Sequence, residues 1–227
     1  MAGRPYHHGD LRNALLDAAE ALIRDRGADG WSLREASAQV GVSPSAAYHH
    51  FESRDALVDA LSDRVIARLG ERLSDAAATA HGGPQQPLIA VGREYVRWAV
   101  EDPELARLAF AHGRTEPATL ISPHPHDVLA AELDRLAAGG GLPAPARPGA
   151  EFVVWAAMHG LVMLLADGLV RLDSPQAIDR EAERIVRAVL TGLEAEPPPS
   201  PAWPMPRSAH SEALTCHQAE RDPASSR

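Results

Sequence analysis

The chain has 227 residues, 45% of them apolar, and sets 22 basic side chains against 31 acidic ones for a formal net charge of −9. That length supports a buried core in one large domain or two smaller ones, and no apolar run approaches the roughly 18–20 residues that cross a bilayer. The N-terminus lacks the apolar core of a secretory signal, and the single cysteine, Cys216, excludes an internal disulfide, so a cytoplasmic setting with no membrane partner is expected.

In chain order, residues 1–9 form an expected flexible arm. Asp10 then caps a helix whose apolar positions Leu11, Ala14, Leu15, Ala18, Ala19, Leu22 and Ile23 recur at helical spacing. Gly27 fits the turn that ends it. Ser32-Leu-Arg-Glu35 is a capping box, with Trp31 placed to staple the first turn. This second helix is short, ending near Val40, and Gly41 supplies a tight turn. Ser43 caps a third short helix with Pro44 at its first position, where a missing N–H costs nothing; it runs to about His50 or Phe51. Ser53 caps a fourth, longer helix carrying Ala56, Leu57, Ala60, Leu61, Val65, Leu69 and Leu73 along one side. His81-Gly-Gly-Pro breaks the pattern. Helices are then predicted at about Leu88–Val100, Glu104–Ala111, His126–Ala138, Ala150–Leu169 and Pro175–Leu193, with the breaker-rich 139–149 between the third and fourth of these. From Glu196 the composition turns to Pro, Ser, His and charge without periodicity, a disordered tail over 196–227. No segment alternates as a strand. The expected class is all-α with about nine helices: a three-helix domain at 10–60 and a helical domain at 61–195.

Two short helices joined by a tight glycine turn form a helix-turn-helix signature. Packing of Leu33, Ala36 and Val40 against Val42, Ala47 and Phe51 would aim the outer face of the second helix at a major groove wide enough to admit it. Charge alone argues against such a partner, since residues 1–60 hold six arginines and nine acids, a formal −3. Local geometry offsets this. The helix starts at Ser32, Ser43 and Ser53 offer N–H groups to phosphates, and Arg34, Tyr48, His49 and Arg54 add side-chain donors. Arg4, His7 and His8 on the arm are placed to meet the backbone of a duplex.

Gly3-Arg-Pro-Tyr-His-His-Gly-Asp-Leu-Arg12, Ser32-Leu-Arg-Glu-Ala36, Gly41-Val-Ser-Pro-Ser-Ala-Ala-Tyr-His-His-Phe51 and Ser53-Arg-Asp-Ala-Leu57 together resemble the DNA-binding domain of TetR-family regulators. The resemblance implies that Arg34, Ser43, Ser45, Ala46, Tyr48, His49 and Arg54 face operator DNA. Trp155-Ala-Ala-Met-His-Gly160 resembles the penultimate helix of the subgroup marked by a W-x-x-x-H-G motif. That implies a homodimer closed by the last two helices of each subunit, two recognition helices on a palindromic operator, and a small-molecule ligand in the C-terminal domain. Repression relieved by ligand is the implied mode.

Trp98, Phe110, Trp155, Met158, His159 and Met163 are the candidate ligand contacts, though apolar residues at helical spacing also build ordinary cores. Their character suits a hydrophobic or amphipathic ligand. His112, His124 and His126 match no tight metal motif, and no phosphate loop, nucleophile elbow or metalloprotease motif is present, so neither a cofactor nor an enzymatic activity is expected. Scattered carboxylates read as solvated helix faces. The alternative from another class is a helical dimeric interaction module that has lost DNA binding, to which the alanine-rich recognition helix and the negative charge point.

Overall fold

The structure is a computed structural model that describes residues 8–111 and 122–195. Among the described residues the regular elements are helical: α1 (His8–Arg26), α2 (Leu33–Val40), α3 (Pro44–Tyr48), α4 (Arg54–Thr79), α5 (Gln86–Glu101), α6 (Pro103–Ala111), α7 (Pro125–Ala138), α8 (Ala150–Ala166) and α9 (Pro175–Ala195), with one 3-10 turn at Ala144–Ala146. The all-α expectation holds, and most helix ends fall within two residues of those read from capping and periodicity. The expected tail, Arg4, His7, His112 and Cys216 lie outside the described residues.

Three boundaries differ, each for a local reason. The first helix opens at His8, so Asp10 lies inside it and does not cap it. Helix starts are set by local capping and differ by a residue or two from the periodic pattern that follows them. The recognition helix ends at Tyr48, two residues early, and the chain closes through Phe51 N–H to the Ala47 carbonyl at 3.0 Å. Helix α8 stops at Ala166 because Gly168, at φ +68°, turns the chain left-handed.

The helices form because each carries an apolar stripe that a neighbour covers. Leu15, Leu16, Ala19, Leu22 and Ile23 of α1 pack with Trp31, Leu33 and Ala36 before and within α2, Ala47 and Phe51 around α3, and Leu57 and Leu61 of α4. Each such leucine, fully withdrawn from water, contributes about 1.5–3 kcal/mol. Helix α4 runs unbroken past the expected division at residue 60. Its later positions Val65, Leu69 and Leu73 belong to the same cluster as Leu88, Ile89 and Val96 of α5 and Val186 and Leu190 of α9. Helix α5 lies at the centre of the larger domain, against α4, α8 and α9. Gly70 permits one close approach, because a Cβ there would collide with the backbone carbonyl of Pro123. The start of α7 therefore rests directly on α4.

Candidate nucleic-acid interface and sensor core

The head of the molecule is built by its caps. Ser32 and Glu35 form the predicted capping box, the Ser32 hydroxyl accepting from the Glu35 N–H and the Glu35 carboxylate accepting from the Ser32 N–H at 2.9 Å. Arg26 adds a 2.9 Å ion pair to the same carboxylate and, with the Ser32 hydrogen bonds, holds it below the usual glutamate range. Gly41 sits at φ +77°, and the N–H groups of Gly41 and Val42 bond the carbonyls of Ala38 and Ser37. That turn needs the left-handed conformation, which costs a side-chain-bearing residue about 1 kcal/mol or more. Ser43 then caps α3 by accepting the Ala46 N–H at 3.2 Å, with Pro44 in the first turn.

These constraints fix which side of α3 faces out. Ala47 is fully buried beneath it, while Ser43, Ser45, Tyr48 and His49 are exposed and Ala46 is half-buried. Tyr48 keeps 49% of its surface in solvent, unusual for an aromatic residue so close to a core. Arg34 lies exposed on α2 and makes no ion pair among the described residues. Five of the seven residues expected to meet DNA are thus exposed on the helix-turn-helix, with Ala46 beside them.

Arg54 is placed otherwise. Its guanidinium lies over the Trp31 ring at 4.8 Å from the centroid, donates to the Trp31 carbonyl at 3.2 Å, and donates again to the Ala28 carbonyl. A charged side chain held by a ring and two backbone carbonyls closes the loop between α1 and α2, and its contribution is to the fold of the head. Arg54→Ala is accordingly expected to lower head stability by about 1.5–3 kcal/mol, the range for hydrogen bonds to charged groups. Thermal melting checks this, and the salt dependence of DNA binding should hardly change.

One residue in the head was not singled out. Arg12, exposed on α1, has its guanidinium 5.0 Å from the centroid of the Phe51 ring, next to the end of α3, with no ion pair among the described residues. Its signal was its register, one turn before Leu15 and Leu16 and so at the rim of the buried face of α1.

In the larger domain Tyr95 and Trp98 of α5, Phe110 of α6, and Trp155 and His159 of α8 converge. Phe110 meets Tyr95, Trp98 and Trp155 with ring centroids 6.1–6.4 Å apart and His159 at 5.1 Å. Trp155 and His159 stack at 5.1 Å, 17° from parallel. The Tyr95 hydroxyl is 2.8 Å from His159 Nδ1. Burial pushes the Tyr95 hydroxyl well above its ordinary range and lowers the His159 imidazole, so both are neutral near pH 7. The proton between them sits on the phenol or on Nδ1 according to the imidazole tautomer. Met158 is buried beside this cluster, but Met163 is not part of it. With 44% of its surface exposed, Met163 continues an outer stripe of α8 made of Phe152, Val153, Ala156, Gly160 and Leu164. Four residues turn the register by only about 40°, so Met163 lies where the side of α8 that carries His159 borders that stripe.

A capped helix-turn-helix set on the first turns of a long connecting helix, below an all-helical domain with an aromatic centre, defines a DNA-binding transcriptional regulator. The chain belongs to the TetR family. Residues 15–61 match the model for bacterial regulatory proteins of the tetR family, and residues 88–189 match that for the tetracyclin repressor-like C-terminal domain. It is 25% identical to the HTH-type transcriptional regulator YobS of Bacillus subtilis over 194 residues, 82% of this chain and 93% of that protein. It is 32% identical to the HTH-type transcriptional regulator Rv1816 of Mycobacterium tuberculosis over 135 residues, 55% of each chain. Among solved structures, a protein of unknown function from Rhodococcus sp. RHA1 superposes with a TM-score of 0.66 at 28% identity, covering 83% of this chain and all of the other.

Proposed function

We propose that the protein is a homodimeric, cytoplasmic repressor that holds a palindromic operator through α3 and Arg34 and releases it when a hydrophobic or amphipathic small molecule enters the domain built from α5 to α9. The observation that carries the reading is the outer face of α3. Ser45, Tyr48 and His49 stand free of the core beside Arg34, which makes no ion pair among the described residues, over a fully buried Ala47 that fixes their direction. Tyr48 and His49 read base edges, while Arg34, Arg12 and the exposed Ser43 bond phosphate.

Dimerisation follows from the outer stripe of α8. Helix α9, which packs against α8, likewise leaves Arg184, Ala188, Thr191, Gly192 and Ala195 exposed, and a two-fold related copy would cover both stripes in a four-helix bundle. The ligand class follows from the sensor core. Its rings offer apolar area, and its polar groups, the Tyr95 phenol and the His159 imidazole, are uncharged, which favours a ligand without a buried formal charge.

Selection of bound fragments from random double-stranded DNA tests the reading. The expected result is an enriched palindrome, bound with an affinity that falls steeply with salt. For Arg34→Ala the slope against log salt should drop by about one per half-site, as for the loss of one phosphate contact. Absence of enrichment at low salt would overturn it.

A further inference from the structure

Glu20 is the one buried charged residue among the described residues, at 5% exposure. Its position in α1 follows the buried Ala18 and Ala19, and its carboxylate meets three guanidinium groups: Arg24 at 2.7 Å from its own helix, and Arg64 at 2.7 Å and Arg68 at 2.8 Å from α4. The ties continue outward on both sides. Arg64 also holds Asp17 of α1 at 2.7 Å, and Arg24 reaches Asp102 with Nε at 2.8 Å and a terminal nitrogen at 2.7 Å. Asp102 is the corner between α5 and α6, where its carbonyl accepts the Ala106 N–H at 2.9 Å. From that corner α5 leads back to Trp98 and α6 forward to Phe110, both in the aromatic core. The network therefore spans three bodies: the helix that carries the reading head, the connecting helix, and the corner of the sensor domain.

The chemistry of this contact differs from that of the apolar packing around it. Leucine against leucine tolerates a slide of an ångström by a change of rotamer. A desolvated carboxylate shared by three guanidinium groups does not, because displacement leaves buried charge unpaired and charge-assisted hydrogen bonds are short and directional. Burial opposes ionisation of this carboxylate, yet Arg68, with Arg24 and Arg64, lowers its pKa and keeps it charged. Such a network contributes little net stability compared with an apolar replacement, and what it adds is a single allowed geometry.

We propose that Glu20 is a positioning residue which, through Arg24 to Asp102 and through Arg64 and Arg68 to α4, fixes the angle of the reading head and so sets the half-site separation that the dimer accepts. The proposal rests on the dimeric, palindrome-reading function given above. Two recognition helices must meet the duplex about 34 Å apart, one turn, or a multiple of it. A base pair inserted between half-sites moves one of them by about 3.4 Å and rotates it around the axis. A head held rigidly rejects that change, and a head released from its tie follows it.

The test uses the full chain and duplexes carrying two selected half-sites at the preferred separation or with one base pair added or removed, together with a duplex carrying one half-site. The wild type, Glu20→Gln and Asp102→Asn are compared by competitive gel-shift. The wild type should prefer one separation, and both variants should lose at least about fivefold of that preference, the lower end of measured couplings between sites. Binding to the single half-site should remain within about twofold of wild type, since no DNA-facing residue is altered. A contact that served stability alone would lower the melting temperature and leave the separation profile unchanged. Asp102→Asn, at the rim of the network, decides the matter if Glu20→Gln does not fold. Variants that keep the wild-type profile overturn the proposal alone. A wild type that shifts none of these duplexes overturns the operator reading, and the proposal with it.

Discussion

Tyr48→Ala is expected to abolish operator binding at physiological salt while leaving the fold intact. The side chain is half exposed at the end of α3, and the packing that fixes this helix comes from Ala47 and Phe51 on its other side, so its removal opens no cavity. It is the largest outward group of α3, and in a groove it would offer both a ring to thymine methyl groups and a hydroxyl to base edges or phosphate. A lost base contact costs about 1–3 kcal/mol, and a palindrome counts it twice, so the specific complex should weaken by roughly 2–6 kcal/mol. That range covers most of the margin that separates specific from non-specific binding. Fluorescence anisotropy on the selected operator measures the loss, and circular dichroism melting controls for the fold. An unchanged melting curve with binding retained within twofold would pass the reading role to Ser45 and His49.

The second large effect concerns α8. Gly160→Arg is expected to convert the dimer to a folded monomer and to reduce operator affinity by about a hundredfold or more, the advantage that linking two sites confers. Phe152, Val153, Met163 and Leu164 leave 36–44% of their surfaces in water on the isolated chain, around a Gly160 whose missing Cβ would meet nothing within 4 Å. Monomers seldom expose a contiguous apolar patch of this kind. Ala156 and Gly160 on α8 and Ala188 and Gly192 on α9 leave room for a partner helix to approach closely. A guanidinium at residue 160 would be buried there without a counter-ion, which a stable interface does not accommodate. The monomer itself should not suffer, because the position is open and arginine favours a helix over glycine by up to about 1 kcal/mol. Sedimentation velocity reads the oligomeric state directly. A variant that remains a dimer would place the interface on another face.

Much of the architecture was legible in the sequence because its punctuation is strong. Ser32, Ser43 and Ser53 each cap the helix that they were expected to cap, and Gly41 turns the chain where two short apolar stripes needed it. What the sequence left hidden was tertiary. Arg54 reads as a surface cation from its polar neighbours, yet the Trp31 ring and the Ala28 carbonyl that hold it lie more than twenty residues away along the chain. Glu20 reads as part of a solvated helix face, because nothing local announces that Arg64 and Arg68 of another helix will close over it. Met163 stood at a spacing that suits a core or an interface equally, and its exposure depends on neighbouring helices that the spacing does not reveal. The seven-residue DNA-facing set and the ligand set were legible as groups only through their resemblance to a known family, since exposure on a short helix does not by itself show what is bound.

The continuity of α4 has a practical consequence for engineering. Reading heads and sensor domains of this architecture invite recombination, in which one domain is cut at its border and joined to another to give a new input for an old output. Here no border is clean. The residues that finish the core of the head, Leu57 and Leu61, and those that begin the sensor core, Val65 and Leu69, occupy consecutive turns of one helix, and Arg64 and Arg68 face the head from the sensor side of the junction. A chimera joined at residue 60 inherits Glu20 without its α4 partners unless the incoming helix supplies basic residues at the same two positions. A functional transplant from this protein must therefore carry α4 through Arg68 together with an acidic group at the α5–α6 corner, so that the unit of exchange is larger than the DNA-binding domain.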